Sequence, residues 1–182
     1  MNTTSPEQYR ELVASVIECL SDGERLLSGI NAEDYTRKLP VAFNASVGGH
    51  YRHCLDHFQS VLQAASGGDL NYDLRERGTA IETDCFAALV ATRQLREAFA
   101  KLDPRMLARS LSVTCQTSHA TDGSQVAESS IGREIMYSVS HAVHHYALIG
   151  IMAGIMGLTL PQGFGVAPST LKHQAEAARA AA

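Results

Sequence analysis

The 182-residue chain carries a formal net charge of −4, with 45 % apolar and 19 % charged residues. That is the balance of a folded globular protein, long enough for one buried core and too short to expect two full domains, so a single domain over 1–182 is expected. No basic run or stripe occurs, which argues against a nucleic-acid partner and against a polybasic membrane-surface segment. The stretch "YALIGIMAGIMGLTL" holds 15 residues, short of the roughly 20 that a membrane-spanning helix needs, so a buried helix is expected there. The opening "MNTTSPEQYRELVASV" lacks the apolar run of a secretory leader. Cys19, Cys54, Cys85 and Cys115 form no CxxC pair, and free thiols in a reducing cytoplasm are expected.

The first helix is predicted from Ser5, a cap followed by Pro6 and by Gln8 in the capping-box position. Leu12, Val13, Val16, Ile17 and Leu20 then recur at helical spacing. This helix is expected to bend or pause at Asp22-Gly23 and to be over by Ile30. "NAEDYTRKLPVAFNAS" reads as a connector with at most one helical turn. Ser46 is the expected cap of a second helix running to about Ala65, and "SGGDLNYDLRERG" is a polar loop. A third helix is expected to open at Thr83 and to stop before Asp103-Pro104. "RSLSVTCQTS" and "SQVAESS" alternate as two short strands, a hairpin turning at Asp122-Gly123. Ser129 or Ser130 then caps a fourth, long helix ending at Gly157, apolar on nearly every side and so expected to be the most buried element. The tail from about 158 to 182 begins as a Gly/Pro loop and ends in a short helix. The fold class is mainly all-α: an up-and-down four-helix bundle with a small β-hairpin inserted before the last long helix.

Six of the eight histidines lie in two clusters, "GHYRHCLDHF" and "SHAVHHYALIG". At about 100° per residue, His50, His53 and His57 share one face of the second helix. His141 and His145, at i and i+4, can point to one spot on the fourth. An HxxxH pair on a helix chelates zinc, nickel or iron, and one imidazole from a facing helix completes a three-ligand set with positions open for water or substrate. Rotation of the second helix places His50 and His57 nearer its apolar arc than His53. The bland reading of each imidazole is a core or surface residue with one hydrogen bond. Buried imidazoles in so apolar a helix nonetheless need partners, since an uncompensated polar group costs about 1–3 kcal/mol.

"HCLD" on the second helix and "HAVHH" on the fourth resemble the DinB-like superfamily of helical-bundle metalloproteins. The resemblance implies one divalent metal ion bound by His53, His141 and His145. It also implies a metal-dependent enzyme, a transferase or isomerase, acting on a low-molecular-weight thiol as its small-molecule partner, and a homodimer. His50, His57 and His144 stand as alternates or outer partners. Glu134, two turns before His141, could accept a ligand's N–H or act as a base, and Asp56 is either an outer acceptor or a salt-bridged surface residue.

Two other readings compete with that enzyme. One is a non-catalytic metal-binding or stress-related bundle acting through protein interaction; the other is a structural helical dimer with incidental histidines. No HExxH, GxSxG or P-loop is present. Cys54 is either a thiolate near the metal or packing. Arg75 and Arg77 could reach the mouth of the site to hold an anion, and Phe164, between glycines, either covers the pocket as a lid or packs outside it.

Overall fold

The computed structural model describes residues 5–74, 76–120 and 123–180. It is mostly helical, with a small three-stranded sheet. Helix α1 runs Pro6–Gly29 behind a complete capping box, in which Ser5 Oγ accepts from the Gln8 amide and the Gln8 side chain accepts from the Ser5 amide. It does not pause at Gly23. A β-carbon at that position would stand 2.3 Å from the Tyr51 hydroxyl and 2.5 Å from the Tyr146 hydroxyl. The glycine there admits two tyrosines against the helix rather than breaking it.

The connector folds into a short helix α2 (Ala32–Thr36), capped by Asn31, and a 3-10 turn over Pro40–Ala42. Helix α3 (Val47–Ser66) starts at the expected cap, where Ser46 Oγ accepts from the Gly49 amide. The third helix of the sequence reading is two elements. Thr83 ends a single turn, α4 (Ala80–Thr83), and Asp84 is the cap of α5 (Cys85–Ala100). An aspartate carboxylate is as good a cap as a threonine hydroxyl, so composition alone does not choose between adjacent candidates.

Strands β2 (Ser110–Cys115) and β3 (Gln125–Ser130) form the expected antiparallel pair, from Ser110 opposite Ser130 to Cys115 opposite Gln125. Asp122, where the turn was placed, lies outside the described residues. A third strand, β1 (Leu70–Asn71), adds parallel to β2 with Leu70 opposite Val113, inside the stretch read as polar loop. Two residues are too few to carry an alternating pattern. Ser130 caps the long helix α6 (Ile131–Ile155), and α7 (Pro168–Ala180) follows the glycine turns of the tail.

The four long helices each touch two others: α1 packs on α5 and α6, and α3 packs on the same pair from the opposite side. Val16, Leu20, Tyr51, Phe58, Phe99, Ile135 and Ile149 meet in one continuous core. Helix α6 is less enclosed than its composition predicts, because Met136, Tyr137, Ile151 and Ile155 face outward. Apolar residues fill its outer face as well as its inner one, so hydropathy cannot tell the two faces apart. Among the described residues no helix is long and apolar enough to cross a membrane.

Candidate functional site

The contact between α3 and α6 brings the two histidine clusters together. His50, His53 and His57 descend one face of α3, and His141 and His145 rise on the facing stripe of α6. The Nε2 atoms of His53 and His141 are 3.0 Å apart, and the Nδ1 atoms of His50 and His145 are 2.8 Å apart. The His53 ring stands edge-on to those of His141 and His145, with centroids 4.9 and 4.8 Å away. His57 is 4 % exposed, and its ring lies 4.2 Å from that of His141. His144 is exposed and meets the cluster in an edge contact with His145, at 5.4 Å.

One group among the described residues has the disposition of a metal site: His53, His141 and His145 each offer a ring nitrogen, all within 4.8 Å of one another. Two nitrogens on a tetrahedral cation at about 2.0–2.1 Å stand about 3.3 Å apart, so the three rings reach such a geometry by small side-chain rotations. One of the three donors, His145, is held in its neutral form. Burial first, then the neighbouring His141, His53, His50 and His144, push His145 down to about 3. Burial, followed by His144, likewise lowers His50. A neutral imidazole is the form that binds a metal, and the residue set fits one.

Rotation of α3 had favoured His50 or His57 as the ligand, yet His53 joins the two imidazoles of α6. The apolar arc points to the core, whereas the cluster lies at the half-buried rim of the α3–α6 seam. His57 sits deeper, stacked on Tyr72 at 4.6 Å.

Glu134 takes neither role expected of it. Its carboxylate, 0 % exposed, accepts from the Tyr72 hydroxyl at 2.8 Å, from Ser129 Oγ at 2.5 Å and from Arg133 at 2.6 Å. Through the Tyr72 hydroxyl it is linked to the ring stacked on His57. Asp56 forms an ion pair with Arg52, which also bonds Glu82. Cys54 is fully buried and its thiol is pushed well up by desolvation, so it is packing and not a thiolate. Phe164 is no lid: it stacks on Tyr146 at 4.7 Å, while Gly165 lies so close that a β-carbon would meet the Tyr146 backbone at 2.6 Å. Arg77 is exposed, and Arg75 lies outside the described residues.

Two residues of this neighbourhood escape a search for histidines. Tyr137 is four residues before His141 and stacks on it at 5.6 Å, with the Arg133 guanidinium 5.4 Å from the centroid of the Tyr137 ring. That spacing was readable on a helix. Tyr72 arrives from the β1 loop, and no local pattern announces it. A separate groove of about 990 Å³ opens where the first turns of α1 and α6 meet, between Tyr9, Leu12, Leu107, Ala108, Arg133 and Met136.

No family model and no solved structure matches the chain. The chain is similar to "FK506-binding protein 5" of Rhizopus delemar strain RA 99-880, 39 % identical over 105 residues, which are 57 % of this chain and 27 % of that protein. It thus spans little more than a quarter of that relative's length. This finding overturns the expected function, a metal-dependent transferase or isomerase using a low-molecular-weight thiol, together with the stress-related bundle and the structural dimer offered beside it. The related protein is named for binding FK506, and that name carries no thiol chemistry.

Proposed function

We propose that the chain is a ligand-binding helical module related to a segment of an FK506-binding protein, with one divalent metal ion on His53, His141 and His145 as its cofactor. The shared 105 residues support the first half of this reading. The observation that carries the second is the convergence of three imidazole nitrogens within 4.8 Å. Zinc, nickel and iron all suit imidazole. A centre held by three protein ligands keeps a position for water or a ligand oxygen and polarises it. The helical framework is the up-and-down four-helix bundle of the DinB-like type, with α1, α3, α5 and α6 as its members, and the free cysteines accord with a cytoplasmic setting.

Within this reading the groove between α1 and α6 is where an FK506-type ligand docks. What supports this is its volume of about 990 Å³ and the apolar Tyr9, Leu12, Leu107 and Met136 among its walls, alongside Glu11, Arg105 and Arg133. Calorimetric titration of FK506 into the zinc-loaded protein tests this. Saturable binding that weakens at least tenfold in Leu12→Asp is expected. Absence of binding, or binding indifferent to Leu12→Asp, refutes the assignment.

A further inference from the structure

Of the five imidazoles at the α3–α6 seam, the three-ligand group leaves two, His50 and His57; His57 stacks on Tyr72, and His50 faces a ligand. It stands one turn before His53 on α3, half-buried, with its Nδ1 2.8 Å from Nδ1 of His145. Two neutral imidazoles can approach so closely through these atoms only if one nitrogen carries the proton and the other presents its lone pair. The question is which.

We propose that His50 is a positioning residue for the metal centre: its Nδ1 accepts the Nδ1–H of His145 and thereby fixes His145 in the tautomer that offers Nε2 to the cation. The inference rests on the metal reading above. Three observations lead to it. First, His145 belongs to the group of nitrogens within 4.8 Å and His50 does not. His145 therefore has to keep one nitrogen bare for the cation and the proton on the other. Second, the His50 contact engages His145 through Nδ1 at 2.8 Å, a hydrogen-bond distance, which leaves Nε2 of His145 for the cation. Third, ligating histidines donate their remaining N–H to an acceptor that sets ring orientation, and Glu134, the buried carboxylate of α6, stands about three turns from His145 and already accepts from Tyr72, Ser129 and Arg133. The acceptor is instead an imidazole contributed by the opposite helix, so the bond also ties α3 to α6 at the site.

Cobalt(II) chloride titrated into the chelator-treated full-length protein tests this, read by visible absorption of the bound ion. His50→Ala is expected to weaken cobalt binding 10- to 100-fold, the usual loss for an outer partner, with band positions and intensities unchanged because the ligand set is intact. His50→Gln, whose amide oxygen can accept the same proton, is expected to recover most of that loss, and His144→Ala to match the wild type. Unchanged affinity in His50→Ala overturns the proposal, and so does a shifted spectrum, which would make His50 a ligand.

A readout without substitution comes from the zinc-loaded wild type carrying 15N-histidine. Its long-range imidazole spectra are expected to show His145 protonated at Nδ1 and His50 bare at Nδ1; the reverse pattern overturns the assignment. Failure of the wild type to bind cobalt refutes the metal reading itself, whereas wild-type binding with an indifferent His50 refutes this inference alone.

Discussion

Replacing Gly23 by alanine should destabilise the protein although it improves helix propensity. In the interior of α1 the exchange alone is worth about 1 kcal/mol in favour of alanine. The new methyl group, however, would lie 2.3 Å from the Tyr51 hydroxyl, 2.9 Å from its ring and 2.5 Å from the Tyr146 hydroxyl. Both tyrosines are buried, and both are held by further contacts. Tyr51 shares a hydrogen bond with Thr92 at 2.8 Å and stacks on Tyr146, which donates to the Cys19 carbonyl at 3.3 Å. Overpacking of this kind costs about 1–3 kcal/mol. Displacing a buried hydroxyl from its partner adds about 1–3 kcal/mol. The net expectation is a loss of about 1–5 kcal/mol, or a fall in Tm of about 2–20 °C for a chain of this size. Gly29→Ala is the control: nothing lies within 4 Å of its β-carbon, and a gain of about 0.5–1 kcal/mol is expected. Urea unfolding of both variants measures this directly. A Gly23→Ala protein as stable as wild type would refute the packing assigned to the core.

Three further outcomes follow from the site. Glu134→Gln removes a buried charge that accepts from three groups, and should cost about 2–4 kcal/mol in urea unfolding; a cost under about 0.5 kcal/mol would show that the network is not intact. Saturating zinc at 100 times Kd should stabilise by about 2.7 kcal/mol, seen as a Tm about 5–11 °C above that of the chelator-treated protein; equal melting points would contradict binding to the native state. In the metal-free protein, His145 has its folded value lowered to about 3 from the ordinary 6.5. The unfolded chain therefore binds more protons between those values, and stability is full above pH 6.5 and declines as pH falls toward 3. His145→Gln should lose less stability than wild type between pH 7 and pH 5; identical slopes would refute that environment.

The helix starts were legible where a short polar side chain precedes an amphipathic run. Ser5, Ser46 and Ser130 cap as their surroundings foretell, because capping is a local hydrogen bond. What depends on distant partners was not. Gly23 reads as a break, yet it is a space for rings from α3 and α6. The two residues of β1 take their strand geometry from β2. The face α6 turns outward is as apolar as the one it buries.

At the site, helical spacing placed His141 with His145 and His50 with His53 and His57. The rotation of α3 about its own axis, which decides which ring enters the seam, is set by packing against α5 and α6. Glu134 was visible only as a carboxylate on the histidine stripe; the Tyr72 hydroxyl that occupies it comes from 62 residues away.

The most direct test is elemental analysis of the purified protein. The account predicts one zinc, nickel or iron ion per chain in the wild type, and less than a tenth of that in His141→Ala and in His145→Ala, both with unaltered helical content. A wild type free of metal after reconstitution with each ion, or variants that hold it as well, would contradict the three-imidazole centre.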